Sequence, residues 1–151
     1  MKLDANRITT RIWQGSHPAP GPFVQQAGAN VLVLCAQERQ HPAEHYPGVH
    51  VIHAPMDDSY TVPTVEATRA AKLALAEHRK GARILVCCNQ GINRSGLVVA
   101  IMLTMLTGVS GYEAVRRVQA YRLGALINPA FTMYLRSIPD RNTIHDLTAS
   151  P

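Results

Sequence analysis

Short, nearly continuous apolar runs alternate along the chain with longer segments in which apolar residues recur at helical spacing. Runs typical of β-strands cover residues 11–14, 30–36, 49–54 and 83–88. The second and fourth runs are apolar at almost every position, which is the pattern of strands covered on both faces of a sheet. The spacing predicts helices over residues 22–27, 64–80, 94–107 and 129–137, with a further helix opening at residue 110.

Local capping signals mark the ends of several of these helices. Gly81 follows the second helix, where a left-handed residue commonly ends a helix. Ser110 and Glu113 have the spacing of a capping box. Asn128 is an N-cap residue, and Pro129 occupies the first helical position that proline prefers. Strands separated by helices, followed by a helical C-terminal third, predict an α/β fold with three layers: a short, mixed central sheet of four to five strands flanked by helices.

Length and composition restrict the class of protein further. The 151 residues fit a single domain, 1–151, and 46% hydrophobic residues supply an ordinary core. The net charge of +5 comes from scattered basic residues, and only 5% of the residues are aromatic. We therefore do not expect a nucleic-acid-binding surface. Three cysteines cannot build a disulfide framework, and no apolar run is long enough to insert into a membrane. We therefore expect a soluble, cytoplasmic monomer.

One segment, residues 83–96, carries candidate chemistry. A buried strand is predicted to end at Cys88, five residues follow, and a helix begins at Arg94 with Ser95 directly after it. A loop between a strand end and a helix start turns backbone N–H groups inward and forms an anion-binding concavity. Gly91 lets that loop bend, and the planar guanidinium of Arg94 can hold two phosphate oxygens. The same N–H groups stabilise a thiolate at Cys88, which makes it a candidate nucleophile.

The segment resembles the signature loop of the cysteine-dependent protein tyrosine phosphatases, in particular the small, atypical dual-specificity phosphatases. Residues 12–16, 28–36, 54–59 and 127–131 resemble other parts of that family, so the similarity covers nearly the whole chain. The resemblance implies hydrolysis of phosphorylated proteins, at phosphotyrosine and also phosphoserine or phosphothreonine, through a phosphocysteine intermediate without cofactor or metal. Cys88 would be the nucleophile, Arg94 would bind phosphate, and Ser95 would help the thiolate leave. The implied phosphate-binding loop consists of Asn89, Gln90, Gly91, Ile92, Asn93 and Arg94.

The general acid that the resemblance implies comes from the segment 54–59. The family pattern of an apolar residue, proline, two residues and aspartate places Asp58 in this role, with Asp57 beside it. The reaction needs one protonated carboxyl within reach of the leaving oxygen, and two adjacent side chains cannot both point there. We therefore favour Asp58 and keep Asp57 as the alternative.

Other interpretations stay open from the sequence alone. The family usually has His before its nucleophile, whereas this chain has Cys87, so a pseudophosphatase that only binds phosphorylated partners is one alternative. A rhodanese-like sulfurtransferase is another, although Ser95 and the aspartate segment fit a phosphatase better. The loop positions between Cys88 and Arg94 are uncharged, which disfavours inositol phospholipids and leaves RNA 5′-phosphates open.

A cysteine and a group of histidines are further candidates for redox and metal chemistry. Cys35 ends the second predicted strand and resembles a cysteine that pairs with the nucleophile in some lipid-phosphatase relatives, so it is a candidate redox partner of Cys88. Several histidines lie close together in the sequence, but prolines interrupt the helix that a ligand pair would need. We expect these histidines to be structural or solvent-exposed and no metal to be bound; they are His41, His45, His50 and His53.

Overall fold

The computed structural model describes residues 3–142, so the two ends of the predicted 1–151 domain lie outside it and the domain boundaries stay a prediction. A single five-stranded mixed sheet forms the centre, with strand order β1-β2-β5-β3-β4. The β1–β2 pair is antiparallel and the other pairs are parallel. The strands are β1 (Ala5–Thr9), β2 (Ile12–Ser16), β3 (Val31–Ala36), β4 (His50–Met56) and β5 (Ile84–Cys88).

The helices cover the two faces of the sheet unequally. They are α1 (Phe23–Gln26), α2 (Thr64–Arg79), α3 (Arg94–Thr107), α4 (Gly111–Tyr121) and α5 (Pro129–Arg136). The larger core lies on the face covered by α2 to α5, and α3 is buried over its first eleven residues because neighbouring helices surround it. The other face carries a smaller core, packed with α1 and the 3₁₀ turn Ala43–His45. The predicted three-layer α/β class is confirmed, with one thin outer layer.

The first strand, β1, is missing from the sequence-based prediction. Its five residues are polar except at two positions, and only Ile8 is buried. An edge strand of this kind has no periodic apolar signal, since its pairing depends on the hairpin with β2. The predicted strands 11–14 and 49–54 are also shifted, because β2 ends at Ser16 and β4 at Met56. Within residues 3–142, no helix has the length and apolarity needed to cross a membrane.

The parallel strands bring the candidate residues together. In parallel strands the carboxyl ends meet at one edge of the sheet, where α/β proteins commonly place their ligands. Here that edge holds the residues that follow Ser16, Ala36, Met56 and Cys88. The predicted phosphate loop, the aspartate segment and the residues after β3 therefore converge on one side of the molecule.

Candidate active site

The loop between β5 and α3 is held by its carbonyl groups. Four consecutive carbonyl oxygens, those of residues 89 to 92, accept hydrogen bonds from the surrounding protein. In a planar trans peptide the C=O and N–H groups point in opposite directions. The N–H groups of residues 90 to 93 therefore face the interior of the loop. The four carbonyls accept, in chain order, from His17 N (3.2 Å), Arg122 Nη2 (3.0 Å), Arg122 Nε and Gln14 Nε2 (2.7 and 3.0 Å), and Leu126 N (3.0 Å).

Glycine is required at position 91 for two separate reasons. Its φ of +71° lies in the left-handed region, which side chains rarely adopt. A Cβ atom there would also lie 2.5 Å from the carbonyl oxygen of Gly15 and 2.7 Å from Nη2 of Arg122. The loop thus passes directly against the backbone of β2, a contact that the sequence did not indicate.

Cys88 is the last residue of β5, and its side chain is buried at the base of this loop. Its Sγ lies 3.3 Å from Oγ of Ser95, the second residue of α3. The amino end of α3 follows the loop directly, so its partial positive charge acts on the same space. A thiolate at Cys88 would be stabilised by the Ser95 hydroxyl and by this helix end.

The guanidinium of Arg94 is hydrogen-bonded on one side to Glu38, a residue that the sequence analysis did not assign to the site. Its Nη1 and Nη2 atoms each donate to one carboxylate oxygen of Glu38 at 2.7 Å, and Nη1 also donates to the carbonyl of Met56 at 3.1 Å. These contacts use three of the five N–H groups of a guanidinium. Nε is buried and has no partner among the described residues. Nε–H and the second N–H of Nη2 therefore remain available as a bidentate donor to an anion.

The contact with Arg94 stabilises the ionised form of the Glu38 carboxyl. The hydrogen bonds from Arg94 lower the pKa of Glu38 to about 2, even though partial burial acts in the opposite direction. The pKa of Arg94 is raised for the same reason. The pair therefore stays charged across the physiological range and keeps the guanidinium in one orientation.

The two candidate acids point to different places. Oδ2 of Asp58 accepts from Nδ2 of Asn93 in the loop at 3.1 Å, and Oδ1 accepts from Nδ2 of Asn128 at 2.9 Å. Asp57 instead accepts a long, exposed hydrogen bond of 3.4 Å from Gln37. Asp58 is thus tied to the phosphate loop and Asp57 is not, which favours Asp58 as the residue that faces a bound ester.

Asn128 has a second role that its helix-capping signal does not reveal. Its Oδ1 accepts from the N–H of Ala130, which confirms the predicted N-cap of α5. Its amide nitrogen meanwhile donates to Asp58 and to the carbonyl of Ser59 at 2.8 Å. One side chain therefore begins the last helix and fixes the candidate acid.

Comparison with known proteins gives the family. Residues 12–140 match the family described as the dual specificity phosphatase catalytic domain. The chain belongs to this family. No curated protein has a matching sequence.

Solved phosphatase structures have the same fold as this chain. A mutant form of Tk-PTP has a TM-score of 0.80 at 23% identity, with 93% of this chain and 97% of that chain covered. A mouse putative dual specificity phosphatase complexed with zinc tungstate has a TM-score of 0.80 at 24% identity, with 100% and 94% covered. A variant of human DUSP28 has a TM-score of 0.76 at 26% identity, with 97% of each chain covered. This phosphatase domain therefore spans nearly the whole of each relative.

The cysteines of this dual-specificity phosphatase domain lie on both faces of the sheet. Cys87 packs in the smaller core, with Sγ 3.5 Å from the carbonyl of Val33, because successive side chains of a strand point to opposite faces. Cys35 and Cys88 belong to the larger core on the other face. Because Leu34 on β3 pairs with Cys87 on β5, Cys35 follows on the strand beside Cys88. Burial raises the pKa of the Cys35 thiol well above its ordinary value.

The rings of His17, His41 and His45 lie close together, and the backbone N–H of His17 donates to the loop carbonyl of Asn89. Nδ1 of His41 lies 3.2 Å from Nδ1 of His45, and Nε2 of His53 bonds to the carbonyl of His41. Burial lowers the pKa of His17 to about 4, with the charges of His41 and Arg39 acting in the same direction. Within residues 3–142, no three His, Cys, Asp or Glu side chains are placed to hold a metal ion.

Alanine substitution at Gly91 tests whether the close contact with β2 destabilises the protein beyond the strain of a positive φ. Gly91→Ala should unfold at lower denaturant and lose hydrolysis of an aryl phosphate, because alanine is strained at positive φ and its Cβ meets the Gly15 carbonyl. Gly124→Ala is the matched control, since Gly124 has a φ of +83° with open space around it. Left-handed strain costs roughly 1–2 kcal/mol in both variants. The overpacking at Gly91 should add about 1–3 kcal/mol, measured by urea unfolding. Equal losses of stability and activity in the two variants would contradict the close approach.

Proposed function

We propose that the protein hydrolyses phosphate monoesters on protein side chains, phosphotyrosine and also phosphoserine or phosphothreonine, through a phosphocysteine formed at Cys88. One observation carries the proposal. Because the four loop carbonyls point outward, the loop N–H groups point into the space between Cys88 Sγ and the Nε–H and second Nη2–H groups of Arg94. A tetrahedral dianion is the ligand that fits such a donor set. The mouse relative was solved as a complex with zinc tungstate, whose anion is tetrahedral like phosphate.

The first step transfers the phosphoryl group to the enzyme. The Cys88 thiolate attacks phosphorus, the bond to the ester oxygen breaks, and Asp58 gives its proton to that oxygen as the alcohol leaves. Charge on the equatorial oxygens is stabilised by the loop N–H groups and by Nε and Nη2 of Arg94, which are already oriented before substrate arrives.

The second step releases phosphate. Asp58, now ionised, takes a proton from a water molecule that attacks the phosphocysteine. The bond between sulfur and phosphorus breaks, and the Ser95 hydroxyl, 3.3 Å from Sγ, donates a hydrogen bond to the departing thiolate. The cycle returns Cys88 to the thiolate and Asp58 to the acid. Ser95 therefore acts mainly in this second step.

The surroundings of Asp58 favour a side-chain leaving group over a polyol. The cleft next to Asp58 is lined by Tyr60 and Ile127, whose exposed fractions are 79% and 68%, and by polar residues of the site, Ser59, Asn93 and Asn128. The tyrosine and isoleucine side chains suit an aromatic ring or the adjacent residues of a peptide, whereas an inositol ring presents hydroxyl groups on every side. The uncharged loop side chains add no cation for a second phosphate. A phosphorylated protein is therefore the proposed partner.

Removal of the thiol tests the nucleophile. Cys88→Ser should abolish hydrolysis of para-nitrophenyl phosphate and of a phosphotyrosine peptide, while the wild type stays active with a chelator present. The assay measures released phosphate and extends to a phosphothreonine peptide, an inositol phosphate and a 5′-phosphorylated RNA. Wild-type protein that binds phosphopeptide without releasing phosphate would instead identify a pseudophosphatase. Full activity of Cys88→Ser would exclude a phosphocysteine.

Leaving groups of different acidity test the acid. Asp58→Ala should lose about 10²–10⁴ in kcat on a phosphotyrosine peptide, because its leaving oxygen needs a proton. The loss should shrink on para-nitrophenyl phosphate, whose leaving group is stable as an anion. Asp57→Ala is the matched control and should lose little on either substrate, since Asp57 accepts a long, exposed hydrogen bond from Gln37 rather than one from the phosphate loop. The reverse pattern in the two variants would move the assignment to Asp57.

The position of Cys35 supports a reversible oxidation of the same nucleophile. Peroxide converts the Cys88 thiolate to a sulfenic acid, the Cys35 thiol attacks that sulfur, and water leaves as the disulfide forms. Peptide mapping after mild peroxide should find the Cys35–Cys88 disulfide, and dithiothreitol should restore activity. Cys35→Ser should not recover, whereas Cys87→Ser, changed on the opposite face, should recover like the wild type. Equal recovery in all three proteins would contradict this role.

A further inference from the structure

We infer that Arg122, held in place by Asp4 and Asn6, is the positioning residue that keeps the phosphate loop in its anion-binding conformation. The inference rests on the proposed function, because it concerns the loop that would bind the phosphoryl group. Arg122 follows α4 directly, and Asp4 and Asn6 belong to the N-terminal hairpin. The hairpin would thus be part of the catalytic machinery.

The guanidinium of Arg122 uses every one of its donors. Nε donates to the Gly91 carbonyl at 2.7 Å, and Nη2 donates to the Gln90 carbonyl at 3.0 Å. Nη2 and Nη1 then donate to the two carboxylate oxygens of Asp4 at 2.9 and 3.2 Å. Nη1 also donates to Oδ1 of Asn6 at 2.8 Å. These bonds account for all five N–H groups of the side chain.

Arg122 cannot act on substrate directly. Its side chain is only 9% exposed, and its five N–H groups already have partners. The carboxylate of Asp4 balances its charge, and the hydrogen bond from Arg122 lowers the pKa of Asp4. The pair is close to neutral as a unit. Its effect on the loop must therefore come from geometry rather than from added positive potential.

The geometric effect concerns two adjacent peptide groups. By holding the carbonyls of Gln90 and Gly91 on the outside, Arg122 directs the N–H groups of residues 91 and 92 inward. The Gly91 carbonyl has a second donor in Gln14, but the contact to Gln90 comes from Arg122. Glycine at position 91 permits alternative peptide orientations, so the loop needs an external restraint. Lysine, a point charge with three donors, cannot replace this planar fork.

The test combines a turnover assay with a binding assay that needs no turnover. The variants are Arg122→Lys and Asp4→Asn, with Arg116→Met as the matched control, since Arg116 lies on the exposed side of α4 and contacts Glu113. The first readout is kcat and KM for para-nitrophenyl phosphate. The second is the tungstate concentration that protects Cys88 from alkylation by iodoacetamide. Circular dichroism and thermal unfolding report whether each variant is folded.

Arg122→Lys should fold, lose about 10- to 100-fold in kcat and need at least about tenfold more tungstate for protection. Asp4→Asn should move both readouts in the same direction by less, and Arg116→Met should match the wild type. Combining Arg122→Lys with Asp4→Asn should add little to Arg122→Lys alone, because both act through one contact. Weaker tungstate protection in a variant that stays folded is the result a purely structural arginine would not give.

The inference is overturned if folded Arg122→Lys and Asp4→Asn keep wild-type tungstate protection and kcat. Should Arg122→Lys be unfolded, Asp4→Asn decides alone, because it removes one charge and preserves the shape of the side chain. Wild-type protein that tungstate protects but that hydrolyses no ester would refute the proposed function and leave the positioning role standing. Wild-type protein without protection would refute the positioning role as well.

Discussion

The orientation of four consecutive carbonyl groups after β5 decides what this site can bind. Donors from His17, Gln14, Arg122 and Leu126 hold these carbonyls outward, with Arg122 serving two of them, and the inward N–H groups follow from peptide geometry. One donor, the N–H of Leu126, belongs to a residue with a φ of +58°, which is unfavourable for leucine. Leu126 is buried against Gly96, so packing maintains this conformation. The fold thus stores a little strain to complete the loop.

The loop achieves this arrangement without the histidine that the family resemblance leads one to expect. Cys87 stands in that place, and its side chain packs in the smaller core, with Sγ 3.5 Å from the carbonyl of Val33. The carbonyls are restrained instead by Gln14 and Arg122, together with backbone donors. Orientation of the loop is therefore distributed over the fold rather than concentrated next to the nucleophile.

Much of the fold and the core of the site were predictable because their causes are local. The apolar runs of β3 and β5, the capping signals at Ser110 and Asn128, and the strand–loop–helix around Cys88 lie within short windows of sequence. The antiparallel strand β1 was not predicted because its residues are mostly polar and only Ile8 is buried.

Three supporting residues, Gln14, Glu38 and Arg122, were also absent from the predicted site. Glu38 lies 56 residues from Arg94 in the chain, Arg122 lies 118 residues from Asp4, and Gln14 lies 77 residues from Gly91. No local sequence pattern can therefore indicate these contacts. Gln14 is fully buried in a strand, and a buried amide requires a hydrogen-bond partner. That requirement becomes visible only once the burial of β2 is known. The Glu38–Arg94 pair, with Glu38 half-exposed, serves orientation more than stability.

The most direct test of the inward N–H groups is an amide NMR titration of the uniformly ¹⁵N-labelled protein with tungstate. The account predicts that the backbone N–H resonances of residues 90 to 93 and the Nε–H of Arg94 shift together and saturate at one anion per chain. Resonances of α2, which packs against α3 and β4, should stay in place. Saturation without movement of the loop amides, or shifts centred on another surface, would contradict a loop already built to bind phosphate.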